Sequence, residues 1–468
     1  MEKYNNTIWS AHQLSQALGT AVDHAIIAGA VQFNSKDVRN GDLFIALKGN
    51  SDGHIYVEDA FKRGAAVAIV SHNVNVAASK IITVGNTMAA LYKLAEYKRQ
   101  NSTAKFVGIT GSTGKTSTKD AMKTMLSAFG KTYATRGNFN NYLGLPISLA
   151  SQPDDTEYAV YEIGMSHAGE IRELAKLLRP DIAVITSVSE AHLEFFNSVT
   201  DIVDAKCEIF EGLANDGAMI VNADSKYYDH IMLNIARLGL DAQSVHGFGM
   251  SRSAHSMLKS YEKSGSNVHL EYMVNNIEVK IILPFIPEHF AQNFAAILML
   301  VSLLKLDVNF AAQQLRLIRP TEGRGEIIKV AKGVKRYTLL CDYYNANPKS
   351  LKASLSHLKH LDNNKKVAVL GDMLELGHCA LELHKSMIQA IIDSGVQKVI
   401  LVGAIMQQIK NLLPCAIESV SFDNVDLLYQ ELDNLIEDGE LILIKGSKAM
   451  RLEKIIDYFD QMETDSAV

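Results

Sequence analysis

Tryptophan occurs once in this chain and proline only 8 times in 468 residues. With no tract rich in proline, glycine or serine, disorder is expected only at the ends and in short hinges. The cysteines are few and scattered: Cys207, Cys341, Cys379 and Cys415 have neither metal-ligand nor disulfide-framework spacing, which points to a reducing compartment. Lysine and arginine form no stripe, and the net charge of -6 argues against a nucleic-acid partner. The richest apolar run, FAAILMLVSLLKL at 294–306, is too short to span a bilayer and reads as a buried helix. The opening stretch, MEKYNNTIWSAHQLSQALG, lacks a cationic leader followed by an apolar core and cleavage site. The expectation is a cytoplasmic protein with no stable membrane insertion.

What is present is an ordinary globular composition, 47% hydrophobic and 21% charged. The length suits roughly three domains of common size. Three regions separate, at 1–100, 101–320 and 321–468. The first carries strand candidates QFNS at 32–35, DLFIAL at 42–47, AAVAIV at 65–70 and IITV at 81–84, then a helix over 87–100. The second opens with strand KFVGIT and a helix running on from Thr116. Its further strand candidates are YAVYEI at 158–163, DIAVITSV at 181–188 and AMIVN at 218–222. Continuously apolar strands alternating with helices predict an α/β fold with a mostly parallel sheet covered on both faces. VHLEYMVNNIEVKIIL at 268–283 alternates in polarity and reads as an added antiparallel hairpin. The third region repeats the strand–helix alternation with YTLLCD at 337–342, KVAVLGD at 366–372, KVILVG at 398–403 and LILIKG at 441–446, predicting a second, open-sheet α/β domain.

One stretch carries explicit chemistry. GITGSTGKTSTKD, from Gly108 to Asp120, joins a strand to a helix. The usual phosphate-loop pattern wants a glycine five places before Gly114, and Ile109 stands there. The remainder fits. Gly111, Ser112, Thr113 and Gly114 allow successive N–H groups to face phosphate oxygens. Lys115 can reach the terminal phosphates, and the Thr116 hydroxyl can ligate magnesium. Glu162 ends an apolar strand, where open sheets bind ligands, and could hold the metal directly or through water. His192 lies in the loop after DIAVITSV; such a histidine can ligate metal or bond phosphate, but is more often a polar surface residue. Lys206 reads as an exposed helix lysine or a phosphate counter-charge.

Several blocks together resemble the ATP-dependent Mur ligases of peptidoglycan synthesis. They are TGSTGKT at 110–116, GNFNNYLGLP at 137–146, EIGMSHAGEI at 162–171, AHLEFF at 191–196, DYYNANPKSLKA at 342–353, GDMLELG at 371–377 and IKGSKAMRLEKI at 444–455. The resemblance extends from about Phe33 to Ile455. It implies a UDP-sugar-binding N-terminal domain, a central phosphate-loop ATPase-like domain and a Rossmann-like C-terminal domain. The reaction it implies, from YNANP and GDMLELG most narrowly, is the ATP-dependent joining of D-Ala-D-Ala to UDP-N-acetylmuramoyl (UDP-MurNAc) tripeptide by a monomeric chain, through an acyl phosphate. Another amine acceptor within the family, or a folylpolyglutamate-type ligase, is the alternative. A phosphate-loop switch protein is the alternative of another class, though no guanine-recognition motif of the NKxD type is evident.

Matched residue by residue, the family implies roles that spacing alone did not give. Lys115, His192 and Lys206 become catalytic, with Thr116, Glu162, His192 and Lys206 around magnesium and Lys206 carbamylated. Asn293, Arg324 and Asp342 join the phosphate loop in binding ATP. Ser35, Lys36, Asn138, Asn140, Asn141, Asn345 and Asn347 are implied on the substrate side. The chain departs from the family pattern at Asn34-Ser35-Lys36, usually Asp-Ser-Arg, at Phe195, usually glycine, and at Phe290, usually asparagine.

Overall fold

The structure, a computed structural model, describes residues 7–461. The extreme ends, where composition places disorder and where the first six residues of the opening stretch fall, lie outside the described residues.

Three principal sheets are stacked along the chain. The first is four-stranded and wholly parallel, with Val31–Gln32, Leu43–Ile45, Val67–Val70 and Ile81–Thr83 in sequence order. Leu43–Ile45 and Val67–Val70 are buried at every position, as continuously apolar parallel strands should be. The strand expected over 32–35 is shorter than predicted. Asn34 turns the chain instead: its side chain accepts the Lys36 N–H and caps a 3-10 turn, Ser35–Asp37. A local side-chain bond has displaced the ladder.

The helix Thr87–Asn101 leads to the central, nine-stranded sheet. Six strands between Lys105 and Gly249 run parallel. Ser256–Ser264 continues them and then begins an antiparallel meander with Asn267–Val274 and Ile277–Pro284. The hairpin is where its alternation put it; Ser256–Ser264 was not anticipated from sequence. Glu288–Leu303, the apolar run read as a buried helix, fills the core on one sheet face with the phosphate-loop helix Lys115–Leu126.

The third sheet has seven strands, with Lys366–Gly371 and Leu441–Lys445 at its centre. Lys335–Cys341 runs parallel to Leu441–Lys445, and Glu326–Lys332 pairs antiparallel outside it. A single segment, residues 318–325, connects the central helices to this sheet.

The first two sheets share a core. Ile147 and Ala150, from the helix Gly144–Ala150, belong to the same apolar cluster as Trp9, Leu43 and Leu91. The Trp9 indole N–H donates to the Ala150 carbonyl at 2.8 Å. The helix Thr87–Asn101, assigned by sequence to the first region, packs against Gly144–Ala150 of the second.

Candidate active site

Lys105–Thr110 lies between Ile182–Ile185 and Tyr158–Glu162 in the central sheet, where the chain's order across the sheet reverses. Ligands bind outside the carboxyl ends of strands at such a switch. The phosphate loop leaves Lys105–Thr110 there, held by the segment that follows Ile182–Ile185. Ser112 N–H donates to the Ser187 carbonyl at 2.8 Å, and Thr186 Oγ1 donates to the Thr113 carbonyl at 2.7 Å. Thr186 and Ser187, expected within a strand, have left the sheet to brace the loop. A Cβ on Gly111 would sit 2.0 Å from Thr186 Oγ1, which fixes glycine there. Gly114 takes a left-handed conformation at φ 81° and opens the helix with no side-chain cap, leaving its first N–H groups for an anion.

Lys115 opens onto the cleft, and its Nζ donates to the Gly111 carbonyl at 2.6 Å. The protein packed around it lowers its pKa, against the opposing pull of Glu162. Thr116 Oγ1 donates to Glu162 Oε2 at 2.7 Å, and Asn140 Nδ2 donates to Glu162 Oε1 at 2.8 Å. Glu162 is buried. A hydroxyl and a carboxylate side by side at the phosphate loop form the hard oxygen donor set that suits magnesium.

Lys206 overturns its reading as an exposed helix lysine. It is 2% exposed, at the end of the helix Val199–Cys207. Burial, then the nearby Lys115 charge, holds its pKa well below the ordinary lysine value, and no carboxylate offsets this among the described residues. Its spacing from Ile202 and Val203 puts it on the buried stripe of that helix. That position in the period, rather than residue type, was the available signal.

The third sheet closes the cleft from the other side. His192 takes a left-handed conformation at φ 62°, and its Nδ1 lies 2.5 Å from Glu375 Oε2. Glu194 N–H donates to the Glu375 carbonyl at 3.1 Å, so the AHLE and GDMLELG segments meet directly. His192, foremost, lowers the pKa of the Glu375 carboxyl. The Arg324 guanidinium stacks 4.0 Å from the Tyr344 ring centre. Lys445, 2% exposed, donates to Asp342 Oδ2 at 2.8 Å and to the Asn345 carbonyl at 3.0 Å.

One cavity of about 440 Å³ gathers most residues singled out from sequence. Ser112 to Thr116 and Glu162 form one part of its wall, with Asn138, Asn140, Asn141 and His192 beside them. Asn293, Arg324, Asp342, Asn345 and Asn347 complete it. Asn347 also caps the helix Pro348–His360 through a reciprocal pair with Ser350. Gly111 and Lys206 lie behind this wall rather than in it. Ser35 and Lys36 stand apart from this cavity, in the turn after the first strand of the first sheet, Ser35 buried and Lys36 exposed. Near them His54 Nδ1 meets Asp52 Oδ1 at 2.5 Å, and its Nε2 accepts the Ser71 N–H at 2.8 Å.

The departures are absorbed locally. Phe195 N–H donates to the His192 carbonyl at 3.0 Å, and its ring lies against His167. Phe290 packs beside His289, whose pKa burial pushes down to about 4. Tyr344 and Lys448, both lining the cavity, were not assigned roles from sequence.

A family model for the Mur ligase middle domain matches residues 109–301, and one described as Mur ligase, glutamate ligase domain matches 323–448. The chain is 47% identical over 453 residues to the UDP-N-acetylmuramoyl-tripeptide–D-alanyl-D-alanine ligase of Rickettsia prowazekii, across 97% of this chain and 100% of that relative. It is 32% identical to the enzyme of the same name from Bacillus subtilis, with 93% of each covered. Its fold is similar to MurF from Acinetobacter baumannii, with a TM-score of 0.81 at 27% identity, over 96% of this chain and 98% of that one. It is also similar to the MurF ligase from Thermotoga maritima in complex with ADP, with a TM-score of 0.75 at 27% identity, over 92% and 97%. The described residues share the three-domain α/β architecture of these structures. No described helix is long and apolar enough to cross a membrane.

Proposed function

The chain belongs to the Mur ligase family, and we propose that it joins D-Ala-D-Ala to UDP-MurNAc-tripeptide in peptidoglycan synthesis, converting ATP to ADP and phosphate. The observation that carries this reading is the end-to-end likeness, at 47% identity, to a ligase named for that reaction. The cleft agrees with it: a phosphate loop, an asparagine-rich loop and the strand ends of a second α/β sheet face one volume.

A carboxylate resists nucleophilic attack because it is already negative. Transfer of the terminal phosphoryl of ATP onto the tripeptide's terminal carboxylate gives an acyl phosphate with a good leaving group. Both reactants are anions, so catalysis is largely charge neutralisation and positioning. The Lys115 ammonium, resting on the Gly111 carbonyl, is placed to follow that charge. Members of this family use magnesium with ATP; bound between Thr116 and Glu162 it would add positive charge there. Arg324 and Asp342 would hold phosphate and ribose from the opposite wall, with Asn293 toward the base. Asn138, Asn140 and Asn141 would meet the sugar-peptide, and Asn345 and Asn347 would shape the closed site around nucleotide and dipeptide. Ser35 and Lys36 would engage the UDP end, beside the first sheet.

The dipeptide amine, once neutral, attacks the acyl carbon; the tetrahedral intermediate expels phosphate and leaves the amide. Water at this stage would hydrolyse the acyl phosphate. The meeting of Glu375 with His192 brings the third sheet to the cleft's edge, where further closure would keep water out. Lys206 fits carbamylation. Its lowered pKa eases loss of the ammonium proton, and the free amine can add to carbon dioxide and lose a proton, giving a carboxylate-like carbamate near Lys115. With His192 it would orient the metal and the phosphoryl acceptor. We assign residues 1–100, 101–320 and 321–468 to UDP-sugar, ATP and closing domains of a cytoplasmic monomer; the phosphate loop and the strand ends of the third sheet that face one cleft support the last two assignments.

The test is phosphate release with ATP, magnesium and UDP-MurNAc-tripeptide, with and without D-Ala-D-Ala, alongside mass analysis. The expected product is heavier by the dipeptide less one water. A folded protein that never lengthens the peptide, or that hydrolyses ATP equally without either building block, sinks the reading.

A further inference from the structure

Lys119 has no place in the chemistry above, yet it is as deeply buried as Glu162, at 1% exposure. It lies one turn beyond Lys115 on the phosphate-loop helix. Its ammonium is fully engaged. Nζ donates to the Thr135 carbonyl at 2.8 Å and the Gly137 carbonyl at 3.0 Å, and lies 3.1 Å from Asp120 Oδ1. The two carbonyls open the loop that carries Asn138, Asn140 and Asn141. That loop is fixed at its far end by Asn140, whose side chain reaches Glu162 and whose carbonyl accepts the Gly164 N–H at 2.8 Å. Asp120 turns the other way. Its Oδ2 accepts the Thr321 hydroxyl at 2.8 Å, and Thr321 belongs to the single segment joining the central and third sheets. The Thr321 carbonyl in turn accepts the Arg324 N–H at 2.9 Å.

We propose that Lys119 and Asp120 are positioning residues that tie the interdomain segment at Thr321 to the asparagine-rich loop, so that the placement of the third sheet sets the loop's readiness for the sugar-peptide. The inference rests on the reading above that this loop meets UDP-MurNAc-tripeptide. It adds that loop order is governed from the linker on the far side of the phosphate-loop helix. A buried ammonium bonded to two backbone carbonyls holds their spacing rigidly, because releasing either leaves an unpaired acceptor. The Asp120–Thr321 bond is the weaker and more exposed member, suited to being made and broken as the linker moves.

The experiment uses the full chain and two readouts. The first is amide hydrogen exchange without substrate, in the parent, Lys119→Met, Asp120→Ala, Thr321→Val and the Asp120→Ala/Thr321→Val double variant. Exchange at 138–141 is expected to quicken about tenfold in Lys119→Met and at least threefold in Thr321→Val, while Val67–Val70 stays as in the parent. The double variant should exchange no faster than Asp120→Ala alone, since that change already removes the bond Thr321→Val cuts as well as the contact with Lys119. The second readout is the Kd for UDP-MurNAc-tripeptide without nucleotide, expected to weaken at least threefold in Thr321→Val. Unchanged loop exchange in a folded Thr321→Val protein overturns the tie, as does an additive double variant. Faster exchange with parental affinity overturns its link to substrate. A parent that exchanges as expected but binds no tripeptide leaves the tie standing and refutes the functional reading instead.

Discussion

Lys119 and Lys206 occupy helices on opposite faces of the central sheet, and both are nearly inaccessible to solvent. The two faces treat the same side chain differently. At Lys119 the loop supplies two carbonyls and the helix supplies Asp120, so the side chain is fully bonded and acts as a brace. At Lys206 burial comes first and Lys115 adds a like charge, no carboxylate among the described residues offsets them, and the proton is given up more readily. Burial alone therefore does not say what a lysine is for. What distinguishes a brace from a reactive amine is whether the protein spends acceptors on it.

The largest expected effect comes from a third lysine that belongs to neither kind. Among the described residues Lys115 Nζ has the Gly111 carbonyl as its one bonded partner, and it faces the cleft. Lys115→Ala should lower kcat about a thousandfold or more while leaving the far-ultraviolet circular dichroism unchanged. Ligation at the parental rate by that variant would remove the phosphate loop from the chemistry. Next comes Lys206→Ala, with an expected loss of about 10- to 100-fold in kcat. Added formate or acetate should restore part of it, because a small acid can occupy the space left by the side chain. Full activity without such an acid would reduce Lys206 to another buried cation.

The smallest effect compares stability directly by urea melts. Lys119→Met should cost about 1–3 kcal/mol, since it strands two carbonyls, whereas Lys206→Met should cost close to nothing. The pH dependence separates them further. The unfolded chain keeps the Lys206 proton up to about pH 10.4, whereas the folded chain releases it earlier. Between those points the unfolded state binds more protons, so parental stability rises with pH. In bicarbonate-free buffer Lys206→Met should flatten that rise below about pH 10.4. A parallel slope in parent and variant would break the contrast between the two faces.

Legibility from sequence followed the same division between local and distant causes. The apolar strands Tyr158–Glu162 and Ala218–Asn222, and the glycines around Lys115, are set by residue type and short-range period, and they stand where expected. Thr186 and Ser187 were read into a strand because their departure depends on bonds to a loop over seventy residues earlier in the chain. Lys206 was read as exposed although its spacing from Ile202 and Val203 marked the inward stripe; Lys119 has a comparable spacing to Met122 and Leu126. Charge outweighed position in that reading. Family likeness supplied the role of Lys206, but neither likeness nor period revealed that Lys119 reaches Thr135 and Gly137, which only the folded chain brings together.

The two junctions between the three sheets are of unlike mechanical kind. Between the first and second, Trp9 is buried, Ala150 caps its indole, and Ile147 shares its cluster, so those bodies form one frame. Between the second and third run one short segment of chain and a few polar contacts, His192 with Glu375 among them. On the proposed reading the acid to be activated would rest on that shared frame, and the partner amine would arrive from the side of the third sheet.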